Sequence, residues 1–378
     1  MAHDFLSDRT TLIDSPTQAG LVGTAAAADV GDYLLVADGE ERGSFFEVGE
    51  QEKAIGRLAP CEIVIQDKEI SRRHCTVRLH RGTLTVTDLG STNGTYLNGR
   101  RIEGSVTVPV GGVLQIGRAV LKYERRARKE VHAAELLSRD LSKARRYVES
   151  LLPAPIGNGP ITADWIYLPS AQLGGDVFGY HALDDRSFAV YLVDVSGHGT
   201  EASMLAVAVM NVLRQRALPD TDFRRPADVA TRLNTMFAME EHGFMFFTLW
   251  YGVFDASRRV IDYCSAGHHP AFLLSSDRRE TTPMHTANVP IGVSPDAAFT
   301  ASNARVDAGT TLYLFSDGVF EVVTTPGERW ELDDFLPHIA APRVAGLNEP
   351  ERLHGVVRTV ASAGPFDDDF SLLTVTFA

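Results

Sequence analysis

The sequence predicts a multidomain chain: an N-terminal all-β sandwich, a helical linker, and a C-terminal α/β domain of helices layered on sheets. Three observations carry this. The chain has 378 residues, too many for one ordinary core and suited to two or three domains. Between Tyr33 and Tyr123 it reads as short strands with frequent Asn-Gly and Gly-Gly turns, the mark of a β-sandwich. After that stretch the period changes, first to three- and four-residue steps and then to strands alternating with helices.

The strands of the first part are visible as YLLVA, FFEV, EIVI, CTVRLH, TLTVTDL, TYLNG and VLQIG. From about Glu124, Val131, Ala134, Leu137, Leu141, Ala144, Val148 and Leu151 form the apolar stripe of an amphipathic helix, which Pro153 and Pro155 stop. That stripe suits packing on its own domain, and its narrowness equally suits a coiled-coil-like seam between two copies. Beyond Pro155, SFAVYLVDV is a buried strand, and EASMLAVAVMNVLRQRA and PADVATRLNTMFAM are helices. FTLWYGVFD, VIDYCSAG, TLYLFSDG and FSLLTVTF are strands again. Helices fall between groups of hairpin-like strands, which favours α+β layers over a doubly wound sheet. The expected division is a flexible tail over 1–30, a β domain over 31–123, a helical linker over 124–152 and an α/β domain over 153–378.

Composition narrows the function classes. A hydrophobic share of 44% and a charged share of 22% suit soluble globular domains. No apolar run approaches the roughly 20 residues that cross a bilayer, and the first residues lack the basic and apolar regions of a secretory signal. Cys61, Cys75 and Cys264 make an odd number without C-x-x-C spacing, which suggests neither a disulfide framework nor a zinc site. These features point to the cytoplasm and to no membrane partner. The net charge of −13 argues against nucleic-acid binding. It suits a carboxylate-rich metal site or a merely acidic, solubilising surface. No Gly-x-Gly-x-x-Gly follows a strand and there is no Walker loop, so nucleotide-binding folds are set aside.

Four clusters stand out in the β domain: Gly56-Arg57, Ser71-Arg72-Arg73-His74, Ser91-Thr92-Asn93-Gly94 and Asn98-Gly99. Singly each reads as a turn or a solvated loop. Together they supply forked guanidinium donors, hydroxyls and an amide, which is what a phosphate on a loop surface needs. In this order they resemble the forkhead-associated (FHA) domain. The resemblance implies that Arg57 and Ser71 bind a phosphothreonine phosphate with help from Thr92, and that Asn93 holds the peptide backbone. His74 would brace the loop, and Asn98-Gly99 would be structural. Thr11 lies three residues before Asp14, so a phosphorylated tail carrying Thr10 or Thr11 is a candidate ligand for the domain, against the plainer reading of incidental threonines.

The C-terminal half holds Gly174-Gly175-Asp176, Asp194-Val195-Ser196-Gly197-His198-Gly199, Ser316-Asp317-Gly318 and Asp367-Asp368-Asp369-Phe370-Ser371. Aspartates at strand ends beside glycine can be aimed at one point. Oxygen ligands of this kind suit Mg²⁺ or Mn²⁺ rather than zinc. With Ser265-Ala266-Gly267-His268-His269-Pro270 and Pro290-Ile291-Gly292, the order resembles the SpoIIE-like branch of the PPM (type 2C) phosphatases. The resemblance implies an α-β-β-α sandwich and a two-metal Ser/Thr phosphoprotein phosphatase holding two Mn²⁺ or Mg²⁺ ions. Asp194 would bridge the metals, Asp176 and the Val195 carbonyl would complete one shell, and Asp317 and Asp368 would hold the other ion. His198 is either a general acid or a loop residue, and Asp369 is read as a neighbour that holds water. No arginine lies in 162–176, unlike the eukaryotic members, so phosphate would rest on the metals alone.

The two resemblances together imply a signalling phosphatase recruited by phosphothreonine proteins. A Ser/Thr kinase is an implied partner, a phosphorylated anti-sigma-factor antagonist a substrate guess, and the linker helix a route to a homodimer. The alternative is a phosphopeptide-binding scaffold with a silent phosphatase domain.

Overall fold

A computed structural model describes residues 29–39, 41–197, 199–324, 327–362 and 366–378. The tail threonines and His198 lie outside the described residues.

Residues 30–127 form two facing antiparallel-rich sheets. One runs Phe45–Val48, Val30–Asp38, Ala119–Ala127, Val113–Ile116, Thr95–Leu97, Arg100–Arg101. The other runs Ile63–Val64, Lys53–Gly56, Cys75–His80, Thr83–Asp88, Ser105–Val108. Alternation along the strands sends Leu34, Val36, Val77, Leu84, Leu114 and Leu121 into one core. The turns then gather at the sandwich ends, where the Gly56-Arg57, Ser71–His74 and Ser91–Gly94 motifs lie.

The start of the helix differs from the sequence expectation. Glu124–Ala127 continue the last strand, with Tyr33 opposite Glu124 and Val30 opposite Ala127. Cross-strand pairing wins there, helped by an Arg125–Asp32 ion pair at 2.8 Å. Helix α1 is Arg128–Leu151, tied back by Arg128 to Glu47 at 2.7 Å. Val131 and Val148 at its ends are buried, whereas Leu137 in its middle is 61% exposed. The stripe therefore packs at both ends and is open between them.

The C-terminal half stacks two sheets between helix pairs. One sheet runs Ile161–Leu168, Phe370–Phe377, Thr310–Phe315, Ala271–Leu274, Thr281–Met284. The second runs Asp176–Ala182, Ser187–Val195, Phe247–Asp255, Val260–Ala266, Ser302–Arg305. Trp250, Leu314 and Leu373 share the core between them. Helices α2 (Thr200–Gln215) and α3 (Pro226–Met236) cover the second sheet, and α4 (Leu332–Ala340) and α5 (Glu349–Val360) cover the first. The result is the α-β-β-α order. Asn348 caps α5 by accepting from the Glu351 amide at 2.8 Å, with Pro350 in the first turn.

A buried ionic cluster pins α5 to its sheet. Glu349 accepts from Arg352 at 2.6 Å and from the Tyr313 hydroxyl at 2.8 Å, and it also meets Arg278. Burial would raise the Glu349 carboxyl, but the bonds from Arg352, Tyr313 and Arg278 outweigh it and hold it below its ordinary value. A depressed carboxyl stabilises above its unfolded pKa and loses that contribution as pH falls through the folded one. We expect Glu349→Ala to cost about 3–5 kcal/mol by stranding two guanidinium groups, read as a lower urea midpoint at neutral pH. Below about pH 4 the gap between variant and wild type should narrow.

Candidate active site and phosphate cleft

The cleft at one end of the β-sandwich is lined by Arg57, Lys68, Ser71, Arg72, Thr92 and Asn93. Its shape rests on a glycine: a Cβ on Gly56 would sit 2.3 Å from the Arg72 carbonyl, so only glycine lets these two loops close up. His74 is fully buried. Its Nδ1 accepts from the Ser71 amide at 3.2 Å, and its Nε2 lies 3.1 Å from the Gly94 carbonyl. These contacts assign the neutral tautomer with the proton on Nε2, and burial lowers the imidazole pKa in the same direction. The ring thus ties the Ser71 loop to the Thr92 loop. There the Thr92 amide donates to Ser71 Oγ at 3.1 Å, and Asn93 Nδ2 donates to the Glu69 carbonyl at 2.7 Å. Arg57 Nη1 reaches the Lys68 carbonyl at 3.3 Å, a long contact that leaves the guanidinium fork able to turn to an anion. Asn98 adopts φ 48° and Gly99 φ 77°, the turn between two short strands, and Asn98 Oδ1 accepts from the Val113 amide at 2.9 Å.

In the C-terminal half the four sequence-selected aspartates come from both sheets. Asp176 and Asp194 are direct partners across adjacent strands. Asp317 opens a 3₁₀ turn at the end of Thr310–Phe315, and Asp368 stands just before Phe370–Phe377. Ser316 joins these last two strand ends: its Oγ donates to the Asp369 carbonyl at 2.9 Å and accepts from the Ser371 amide at 3.1 Å. The Val195 carbonyl faces Gly175, where a Cβ would lie 3.0 Å away.

Two acidic residues have parts here that the sequence reading did not give them. Asp369, read from the sequence as a neighbour that holds water, is also a hydrogen-bond acceptor for the loop opposite. Its Oδ1 accepts from the Ser170 amide at 2.7 Å and hydroxyl at 3.0 Å, and its Oδ2 accepts from the Gly175 amide at 2.6 Å and the Asp176 amide at 3.3 Å. Glu321 adds negative charge facing Asp194 and Asp317, and it is paired with Arg329. The one sequence signal for Asp369 is the Gly174-Gly175 pair, since a Cβ on Gly174 would sit 2.4 Å from Asp369 Oδ2.

Charge density at this end is high. Burial and then the charges of Asp317 and Asp368 push Asp194 up to about 8. Burial, Asp368 and Glu321 push Asp317 up to about 6. Burial with Asp194 and Asp369 holds Asp176 well above the usual carboxylate range. Asp176 Oδ2 is buried and has no hydrogen-bond partner. An orphaned carboxylate oxygen among mutually repelling carboxylates fits hard divalent cations. Among the described residues no three Asp, Glu, His or Cys groups are drawn together tightly enough to cage an ion unaided, so water would complete the shell.

Comparison with known proteins agrees with both halves. The family described as Stage II sporulation protein E (SpoIIE) matches residues 184–378, more than half of the chain, and this protein belongs to that family. The FHA domain matches residues 54–117. Phosphoserine phosphatase RsbP of Bacillus subtilis (strain 168) is 29% identical over 213 residues, 56% of this chain and 51% of RsbP. The chain thus spans about half the length of that relative. Glycogen accumulation regulator GarA of Mycolicibacterium smegmatis is 34% identical over 124 residues, 32% of this chain and 75% of GarA. The solved SiaA-PP2C domain of Pseudomonas aeruginosa superposes with a TM-score of 0.55 at 19% identity, covering 65% of this chain and 99% of that domain. That likeness establishes the PP2C fold.

A carboxyl whose folded pKa is raised stabilises at low pH, and that contribution is lost as pH rises through the folded value. Metal-free Asp194→Asn should therefore melt above wild type near pH 9 and lose that advantage progressively as pH falls toward about 4. The shift is about 2–4 °C for each kcal/mol of repulsion removed in a domain of this size. Thermal melts with EDTA and with Mn²⁺ check this, and Mn²⁺ should stabilise wild type but not the variant.

Proposed function

We propose that this protein is a metal-dependent phosphoprotein phosphatase of cytoplasmic signalling, acting on phosphoserine or phosphothreonine and recruited through its FHA domain. The observation that carries the reading is Asp194, which pairs with Asp176 and its buried, unpartnered carboxylate oxygen on its own sheet and feels the charges of Asp317 and Asp368 from the other. Two bound divalent cations, Mn²⁺ or Mg²⁺, would supply an activated water and offset charge on the phosphoryl oxygens. Asp194 pairs with Asp176 on its own sheet and feels Asp317 and Asp368 from the other, and so would serve both ions. Asp176 and the Val195 carbonyl would serve one side, and Asp317 and Asp368 the other. The residues around these aspartates keep the carboxylates fixed at strand ends, so that little reorganisation accompanies reaction.

In the FHA cleft, Arg57 and Ser71 would hold a phosphothreonine phosphate with Thr92, while Asn93 orients the peptide backbone. RsbP is named a phosphoserine phosphatase, which makes a phosphoserine-bearing regulatory protein the first substrate to try. A Ser/Thr kinase would write the marks that both domains read, and the open middle of α1 would offer a second copy a seam.

Two measurements test this reading. Mn²⁺-dependent hydrolysis of p-nitrophenyl phosphate and of a phosphoserine peptide should be present in wild type and absent when Asp194 and Asp317 are both changed to Ala. Wild type as inert as that variant would leave a phosphopeptide-binding scaffold. Arg57→Ala should weaken phosphothreonine-peptide binding by about 10- to 100-fold, the range for losing a charge-assisted hydrogen bond, and spare p-nitrophenyl phosphate turnover. Equal loss of both activities would contradict the division of labour.

A further inference from the structure

The loop that carries Gly174, Gly175 and Asp176 into the active site is held from outside the catalytic half. It spans 169–175 and passes from the end of Ile161–Leu168 in one sheet to Asp176 in the other. Arg42, in the turn between the first two strands of the FHA sandwich, donates from Nη1 to the Ser170 carbonyl at 2.9 Å. The same residue, Ser170, gives both its amide and its hydroxyl to Asp369 Oδ1. The other oxygen of that carboxylate takes the Gly175 and Asp176 amides. A second brace comes from α1, where Ser138 Oγ accepts from Gln172 Nε2 at 3.1 Å. The turn bearing Arg42 fits closely against this brace, since a Cβ on Gly43 would lie 3.2 Å from both Gln172 Nε2 and Ser138 Oγ.

We infer that Arg42 is a positioning residue for the phosphatase site, fixing the metal-facing carboxylate of Asp176 through Ser170 and Asp369. The inference rests on the reading of that site as a divalent-cation centre. Arg42 touches neither substrate nor the reacting atoms. It holds one carbonyl, and that carbonyl belongs to the residue whose amide and hydroxyl set one arm of the Asp369 fork. With the arm released, the 169–175 loop samples further conformations, and a cation must select the ordered one. The apparent affinity then falls by the fraction of chains that are ordered.

The same turn is also tied to the chain that leads into the wall of the candidate phosphate cleft. Glu41, beside Arg42, accepts from the Gln66 amide at 2.9 Å, and Gln66 stands two residues before Lys68 in the wall of that cleft. The FHA domain therefore contributes a residue to the order of the catalytic loop as well as a surface for a partner.

The test uses the full chain and two substitutions, Arg42→Ala and Arg42→Lys. Mn²⁺ uptake is titrated by the paramagnetic resonance signal of the free ion, and amide exchange is followed over 169–176. Arg42→Ala should weaken Mn²⁺ binding by about threefold, as expected for one modest hydrogen bond, and speed exchange in that segment. Arg42→Lys, still able to donate to the carbonyl, should recover most of both. Affinity for a phosphothreonine peptide should stay at the wild-type value in both variants. Wild-type uptake and exchange in Arg42→Ala would overturn the inference while leaving the metal site standing. A wild-type chain that takes up no Mn²⁺ would bring down the site reading and this inference with it.

Discussion

The carboxylate of Asp369 is the constraint on which the catalytic end of this molecule depends. It lies at the start of the last strand of one sheet and binds the loop that leads into the first strand of the other. Four donors meet its two oxygens, between 2.6 and 3.3 Å. Two stacked sheets can slide or splay by small amounts without losing their hydrophobic contact, because that contact is non-directional. The Asp369 fork is directional and removes that freedom at the edge where the aspartates stand. Gly174 follows from it, since any side chain there would occupy the place of Oδ2.

What the fork achieves is an unfavourable arrangement. Asp194 stands beside Asp176 and feels the charges of Asp317, Asp368 and Glu321, and Asp176, Asp194 and Asp317 are each shifted upward by burial and by their own acidic neighbours. Repulsion of this kind persists in a fold only when the surroundings over-determine it. Here the surroundings are the antiparallel pairing of Asp176 with Asp194, the Ser316 tie between two strand ends, and the Asp369 fork. The ionic cluster around Glu349 sets the other end of the same sheet in place. Like charges are thus held together at this end, an arrangement that the divalent cations of the proposed site would neutralise.

Legibility in the sequence followed how local each constraint is. Gly56-Arg57, Ser71 and His74, and Asn98-Gly99 could be read because a turn or a tight approach demands those residue types within a few positions. Asp194 and Asp317 could be read because each closes an apolar strand beside glycine. The start of α1 could not, because Glu124–Ala127 carry a helical pattern yet pair with Val30–Tyr33 about ninety residues away in sequence; long-range pairing overrides local period. Asp369 resisted for the same reason, its partners being nearly two hundred residues upstream. Helices α4 and α5 also escaped notice. Both are short, and Pro337 inside α4 reads as a stop rather than a helix.

The two phosphate-handling sites proposed here follow opposite electrostatic logic. The FHA cleft presents Arg57, Lys68, Arg72 and hydroxyls, and the one acid on its wall, Glu69, is drawn off by Arg118 at 2.8 Å. A dianion can rest there on protein donors alone, and nothing in the cleft gathers carboxylates to activate water against it. The catalytic end is the reverse, since its acids would repel a phosphate and no arginine lies in 162–176. On the proposed reading, substrate would bind there only once cations had neutralised those acids. On that reading the chain would hold one phosphate at its FHA cleft and cleave another at the aspartates. The loop between Ile161–Leu168 and Asp176, braced by both the FHA domain and α1, is where the two behaviours meet.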